Sequence, residues 1–168
     1  MRSFQRSRHS LPVAIYKASH ISMQFINLQE QYRRYQPEID ARMRAVMDHG
    51  HFIMGPEIAE VELALADYVG VKHAITVASG TDSLEIALRA WGIGPGDEVI
   101  TVPFTWISSA EAIGLVGAKP VFVDIDLLDY NIDVTKIEAA ITKLTKAIMP
   151  VSVFGQMPEF NAMNAIDE

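Results

Sequence analysis

The 168-residue chain contains no cysteine. That excludes a disulfide framework and a thiolate metal site, and it fits a reducing, cytoplasmic setting. No apolar run approaches the roughly 18 residues that would cross a bilayer as a helix. Positive charge is in deficit: 14 Lys and Arg stand against 21 Asp and Glu, a net charge of -7. This is the wrong sign for a nucleic-acid surface. No strand-like run leads into G-x-G-x-x-G or G-x-x-x-x-G-K-[ST], so the dinucleotide and P-loop signatures of a nucleotide-binding α/β enzyme are missing. Repeats and low-complexity tracts are absent as well. What remains is ordinary globular composition, 49% hydrophobic and 21% charged, in a chain long enough for one real core.

The first 22 residues lack acid altogether while holding Arg2, Arg6, Arg8 and Lys17. An Arg/Ser-rich leader of this kind superficially resembles a transit peptide, and without a long apolar segment it is no secretory signal. It reads as an upstream extension from a mis-called start, with Met23 as the natural first residue and residues 23–168 as the folded part.

From Leu28 to Asp48 the apolar residues Ile39, Met43, Val46 and Met47 recur at helical spacing, with Pro37 expected near a helix start and His49-Gly50 at the end. Gly55-Pro56-Glu57 opens a second helix, with Ile58, Val61, Leu65 and Tyr68 or Val69 as its buried stripe and Gly70 as its stop. Strands and helices then alternate. HAITVA, DEVITVP, KPVFVDID and KAIMPVSVF read as strands, separated by helices over Thr81–Trp91, Thr105–Val116 and Val134–Ala140. The strands are β-branched and apolar on both faces, the pattern of a mainly parallel sheet packed between helices.

Ala74 to Leu88, AITVASGTDSLEIAL, is the most informative stretch. A strand, a tight Ser79-Gly80-Thr81 turn and a helix leave the first helical N–H groups pointing at a concave, electropositive spot. Gly80 lets an anion approach the main chain, and the hydroxyls of Ser79 and Thr81 offer hydrogen bonds. A phosphate fits; a plain helix cap by Ser79 or Thr81 is the other reading. Ligands of open parallel sheets bind at the carboxyl ends of the strands. That rim gathers Ser79-Gly80-Thr81, Phe104-Thr105-Trp106 and Phe154-Gly155-Gln156. Trp106 there either stacks on a planar ring beside the anion cradle or serves as a core aromatic.

These residues resemble the DegT/StrS-type sugar aminotransferases, pyridoxal-phosphate enzymes with the aspartate-aminotransferase fold. The matching runs are FINLQEQY, HGHFIMGPEIAEVE, VASGTDSLEIALRAWGIGPGDEVITVPFTWISSAEAI, GAKPVFVDID followed by YNID, and ITKLTKAIMPVSVFGQ. They cover nearly everything after Met23, and the combination of SGTDSL, GPGDEVI and GAKPVFVDID is far more specific than any one run. The finer resemblance is to enzymes aminating C3 of a UDP-2-acetamido-3-keto-glucuronic acid. It implies the N-terminal part of a fold type I large domain. It also implies pyridoxal 5′-phosphate as cofactor, glutamate as amine donor and a nucleotide-linked keto sugar as acceptor. A homodimer follows from it too, with the Phe52–Pro56 segment beside the active site. By the same resemblance Gly80 and Thr81 bind the cofactor phosphate, with Ser79 in the same turn, and Trp106 stacks on the pyridine ring.

Such chemistry needs a lysine for the cofactor aldehyde and a carboxylate for the pyridine nitrogen. The family places both beyond the position of Glu168, so no catalytic residue is assigned here. Lys72 and Lys119 fall at the starting ends of strands, and Lys136, Lys143 and Lys146 read as a solvated face. Asp124 and Asp126 read as loop caps. His49 and His51 have no third ligand spaced to join them as a metal site. The chain therefore reads as part of a transaminase, inactive alone and binding the cofactor weakly or not at all. The alternative is a non-catalytic binding or oligomerisation module of the same fold.

Overall fold

The computed structural model describes residues 25–166. The basic leader expected over residues 1–22 lies outside them. The chain divides into two compact units, Met1–Ala59 and Glu60–Glu168.

In the first unit, helix α1 (Leu28–His49) starts at an Asn27 cap whose Oδ1 accepts from the Glu30 N–H at 2.9 Å. The start lies well before Pro37, which is inside the helix rather than near its beginning. Proline removes the donor for the Arg33 carbonyl, a cost that an exposed helix meets with water. Gly50 ends α1 in the left-handed conformation at φ 68°. Helix α2 (Pro56–Val69), whose residues from Glu60 onward belong to the second unit, begins at the expected proline, and Gly70 follows it. The expected stripe of Ile58, Val61, Leu65 and Tyr68 or Val69 is not buried: among the described residues of α2 only Ala66 is. The local signals that start and stop α2 act without a partner surface, whereas burial of its stripe requires one.

The second unit is built around strand β1 (Glu98–Thr101), flanked by β2 (Lys119–Phe122) and β3 (Thr145–Met149) in the order β2-β1-β3, both pairings parallel. All four residues of β1 are buried. Alternate side chains enter opposite cores, as the strand period of two requires. Val99 joins Leu88, Ile93, Ile113 and Val116 on the side of α3 (Gly80–Ala90) and α4 (Ser108–Leu115). Ile100 joins Val123, Ile132, Ile137 and Met163 on the side of α5 (Ile137–Ala140) and α6 (Phe160–Asn164). A parallel sheet between helices is thus realised. No helix among the described residues is long and apolar enough to cross a membrane.

Several boundaries differ from the sequence expectation. HAITVA is extended but joins no sheet. Both edges of β1 are already taken by β2 and β3, and Ile75 is 79% exposed. The Thr76 N–H and Oγ1 bond instead to Glu62 Oε1, each at 2.8 Å, so a carboxylate stands where a ladder partner would. The helix expected from Thr105 begins at Ser108, because Thr105 turns back through an N–H bond to the Pro103 carbonyl at 3.2 Å. The helix expected over Val134–Ala140 is a 3-10 turn, Val134–Lys136, followed by the single turn α5. Pro150, which has no N–H to donate, follows the last residue of β3.

One polar group is buried at the entry end of the sheet. Glu98 accepts from Lys119 Nζ at 2.8 Å and from Thr142 Oγ1 at 2.6 Å, joining the start of β2 and the approach to β3 to β1. The Lys119 bond first, and the Thr142 bond second, hold its carboxyl below the usual carboxylate range. A depressed carboxyl stabilises the fold above its unfolded value and loses that contribution as pH falls through the folded value. Glu98→Gln should therefore unfold at lower urea than the parent near neutrality, and the gap should close on acidification. A gap independent of pH would show that the charge contributes nothing. Ile100→Ala should cost about 2–5 kcal/mol, while Ile75→Ala should stay within about 0.5 kcal/mol of the parent. Urea midpoints measure both.

Candidate functional site

The first turn of α3 is organised by a reciprocal cap. Ser79 has extended backbone (φ -155°, ψ 166°), its Oγ accepts from the Asp82 N–H at 3.1 Å, and its hydroxyl donates to Asp82 Oδ2 at 2.9 Å. This is a serine N-cap whose hydroxyl, rather than its amide, is bonded in return by the carboxylate at the third helical position. It occupies the hydroxyl proton of Ser79 and the carboxylate of Asp82 with each other. The Ser83 N–H bonds the Ser79 carbonyl at 3.1 Å. The N–H groups of Gly80 and Thr81 are then the first-turn donors left facing outward.

Gly80 matters here for space rather than for backbone freedom. A Cβ built on it would meet nothing within 4 Å, so no neighbouring group crowds the chain at the first residue of α3. Two first-turn N–H groups without helical partners at the positive end of an eleven-residue helix are what an anion site draws on.

Thr81 connects this turn to the next βα junction. Its Oγ1 donates to Ser108 Oγ at 3.2 Å, and Ser108 is the first residue of α4. Thr105 and Ser109 share a second hydroxyl contact at 3.3 Å. Trp106, between them, is 78% exposed, and its carbonyl accepts from the Ser109 N–H at 3.3 Å. Trp106 is therefore a surface aromatic held two residues from the Thr81–Ser108 bond, and the core reading does not apply to it.

Phe104 and Phe154, from the segments that follow β1 and β3, meet at a ring-centroid distance of 6.4 Å. Tyr130 completes a three-ring cluster, 5.6 Å from Phe104 and 5.3 Å from Phe154. Sequence reading placed Phe104 and Phe154 on this rim but missed Tyr130, which sits at φ 62°. A left-handed tyrosine has no periodic signature. The turn-forming Asp129 and Asn131 beside it, hydrogen-bonded to each other, were the available hint.

The remaining candidates have structural partners. Lys119 is paired with Glu98, and Lys136 Nζ lies 2.8 Å from Asp133 Oδ2. That ion pair, with the Thr135 hydroxyl second, holds Asp133 below the usual carboxylate range. Asp124 Oδ1 accepts from the Ile125 N–H at 2.8 Å and Asp126 Oδ1 from the Leu128 N–H at 2.7 Å, so both carboxylates cap their loop. His49 is engaged at both ring nitrogens, by the His51 N–H and by Glu57. Among the described residues no group of three or more His, Asp or Glu is placed to hold a metal ion.

Comparison with known proteins places the chain in a family. Residues 33–168 match the model of the DegT/DnrJ/EryC1/StrS aminotransferase family. A Pseudomonas aeruginosa protein described as UDP-2-acetamido-2-deoxy-3-oxo-D-glucuronate aminotransferase is 53% identical over 144 residues, which are 86% of this chain and 40% of that protein. The crystal structure of a DegT DnrJ EryC1 StrS aminotransferase from Brucella abortus superposes with a TM-score of 0.81 at 44% identity, over 86% of this chain and 40% of the other. NtdA from Bacillus subtilis, solved with bound cofactor PMP, gives a TM-score of 0.77 at 34% identity, over 79% of this chain and 31% of the other. The chain spans about 40% of the length of the first two. On the family match and the shared fold together, this chain belongs to the DegT/DnrJ/EryC1/StrS aminotransferase family.

Proposed function

We propose that the whole protein is a pyridoxal-phosphate-dependent aminotransferase. In this reading it moves an amino group from glutamate to a nucleotide-linked keto sugar, as a cytoplasmic homodimer serving surface-polysaccharide or related sugar synthesis. Residues 23–168 would be the N-terminal part of its large domain. The observation that carries the reading is the open first turn of α3, with Gly80 clear to 4 Å and Thr81 tied by its hydroxyl to the segment bearing exposed Trp106. The printed activity of the Pseudomonas relative supports the substrate class.

In this proposal the N–H groups of Gly80 and Thr81 hold the cofactor phosphate and Trp106 covers one face of its ring. When bound, the cofactor supplies an electron sink for bond breaking at the amino-bearing carbon. Ser79 serves through its cap: it fixes the turn and keeps the Asp82 carboxylate engaged, which reduces the charge presented to the anion. The Thr81–Ser108 bond fixes the position of Trp106 relative to the phosphate donors. Neither Lys119 nor Lys136 serves the cofactor aldehyde, since each is paired with a carboxylate. No residue of this chain is assigned as the lysine or as the pyridine-binding carboxylate.

Gly80→Ala separates binding from folding. At a helical position with open space the added methyl should leave stability equal or raise it by about 0.4–1 kcal/mol, while cofactor affinity falls. Ser79→Ala should cost about 0.5–2 kcal/mol of stability through the lost cap. Thermal melts and cofactor titrations distinguish the two effects, and Gly80→Ala with unchanged cofactor affinity would misplace the phosphate site.

In a chain completed to the relatives' length, Thr81→Ala should weaken cofactor binding by about 0.5–1.5 kcal/mol, because it keeps the amide but removes the hydroxyl bond to Ser108 that positions the segment bearing Trp106. The same protein, given glutamate and a panel of UDP- and dTDP-linked keto sugars, should aminate at least one. Turnover restricted to small keto acids would remove the sugar assignment and leave the cofactor assignment intact. No turnover and no cofactor binding would favour the non-catalytic module.

A further inference from the structure

The connector that follows α1 is held by a single histidine acting as donor and acceptor at once. His49 is the last residue of α1, and Gly50 caps the helix with its N–H on the Val46 carbonyl at 3.0 Å. The chain then folds over the ring. The His51 N–H lies 3.0 Å from His49 Nδ1, and His49 Nε2 lies 2.9 Å from Glu57 Oε1. The amide brings its own proton, so Nδ1 must offer a lone pair. The carboxylate accepts, so Nε2 carries the proton. The geometry thus selects one neutral tautomer of His49.

The rest of the connector is tightly fixed. The Phe52 N–H bonds the Gly50 carbonyl and the Ile58 N–H the Gly55 carbonyl, each at 3.1 Å. Gly55 is buried, and a Cβ there would collide with the His51 carbonyl. Met54 is a non-glycine residue at φ 50°, a backbone state that costs free energy and persists only where its surroundings hold it. Between these fixed points Phe52, Ile53 and Met54 are three consecutive exposed apolar side chains.

The ring faces groups of both signs: Glu57 is hydrogen-bonded to it, Asp48 precedes it in α1, and the His51 ring lies 5.6 Å away. The charge of Arg42 reaches Glu57. Glu57 is held below the usual carboxylate range, first by the His49 bond and second by its own backbone N–H, so it stays an acceptor while histidine titrates.

We propose that His49 is a pH-operated latch: neutral, it holds the His51 amide and Glu57 together; protonated, it keeps Glu57 but must release the His51 amide. The release follows because Nδ1–H would then face N–H. Acidification through the histidine range thereby removes the side-chain hold on the start of the segment that carries Phe52, Ile53 and Met54, leaving the backbone bonds of Phe52 and Ile58 in place.

Amide hydrogen exchange on the full chain tests this. From about pH 8 to about pH 5, protection of the His51 amide, corrected for its intrinsic rate, should fall roughly tenfold. His49→Gln supplies one acceptor and one donor in the same places and cannot take up a proton, so its His51 amide should stay protected throughout. His51→Gln keeps the amide, and the loss of protection should survive it. Nitrogen-15 shifts of the His49 ring in the parent chain read the tautomer directly. A protonated Nδ1 at neutral pH would overturn the latch. So would parent protection that does not change with pH, or equal loss of protection in His49→Gln.

Discussion

Strand β1 is the constraint on which the sheet unit depends. Its four residues are buried, so every backbone polar group must be paired within the protein, and it is β2 and β3 that pair them. Its side chains enter two cores, with Val99 on one face and Ile100 on the other. Polar contacts secure both ends: Glu98 holds Lys119 and Thr142 at the entry, and the buried Thr101 donates from Oγ1 to the Met149 carbonyl at 2.9 Å at the exit. Removing either flanking strand would leave buried N–H and carbonyl groups unpaired, a larger penalty than the loss of any one apolar contact.

This rigidity is transmitted to the rim. Thr101 lies only a few residues before Phe104, Thr105 and Trp106, and its bond to Met149 holds the exits of β1 and β3 together. On the neighbouring side, Leu88 packs α3 against Ile113 of α4, and the Thr81–Ser108 bond joins the starts of the two helices. The open amides of Gly80 and Thr81 are thus presented by a helix whose far end is anchored in the core. A binding turn placed on a rigid scaffold loses little conformational entropy when a ligand arrives.

Much of this was legible in the sequence. Apolar β-branched runs foretold a parallel sheet covered on both faces, and the Gly50, Pro56 and Gly70 boundaries followed from backbone chemistry alone. The SGTDSL run correctly announced a capped turn opening a helix. What could not be read depends on partners rather than on local pattern. HAITVA carries every local strand signal, yet pairing requires a free neighbouring edge, and β1 has none. The stripe of α2 has the right period, but burial is a property of two surfaces. The dual use of the Ser79 hydroxyl, the Thr81–Ser108 bond and the left-handed Tyr130 arise from tertiary geometry that spacing does not encode.

The most direct test of the proposed cofactor cradle is an amide-resolved NMR titration of this chain with pyridoxamine 5′-phosphate, which has no aldehyde to react with surface lysines. The expected result, since the chain holds only the phosphate contacts and one ring face, is weak but saturable shifts at the Gly80 and Thr81 amides and the Trp106 indole. These shifts should be absent when pyridoxamine lacking the phosphate is added, and should be lost in Gly80→Ala. Saturable shifts centred elsewhere, or identical responses with and without the phosphate, would contradict the assignment of the α3 N-terminus as the phosphate site.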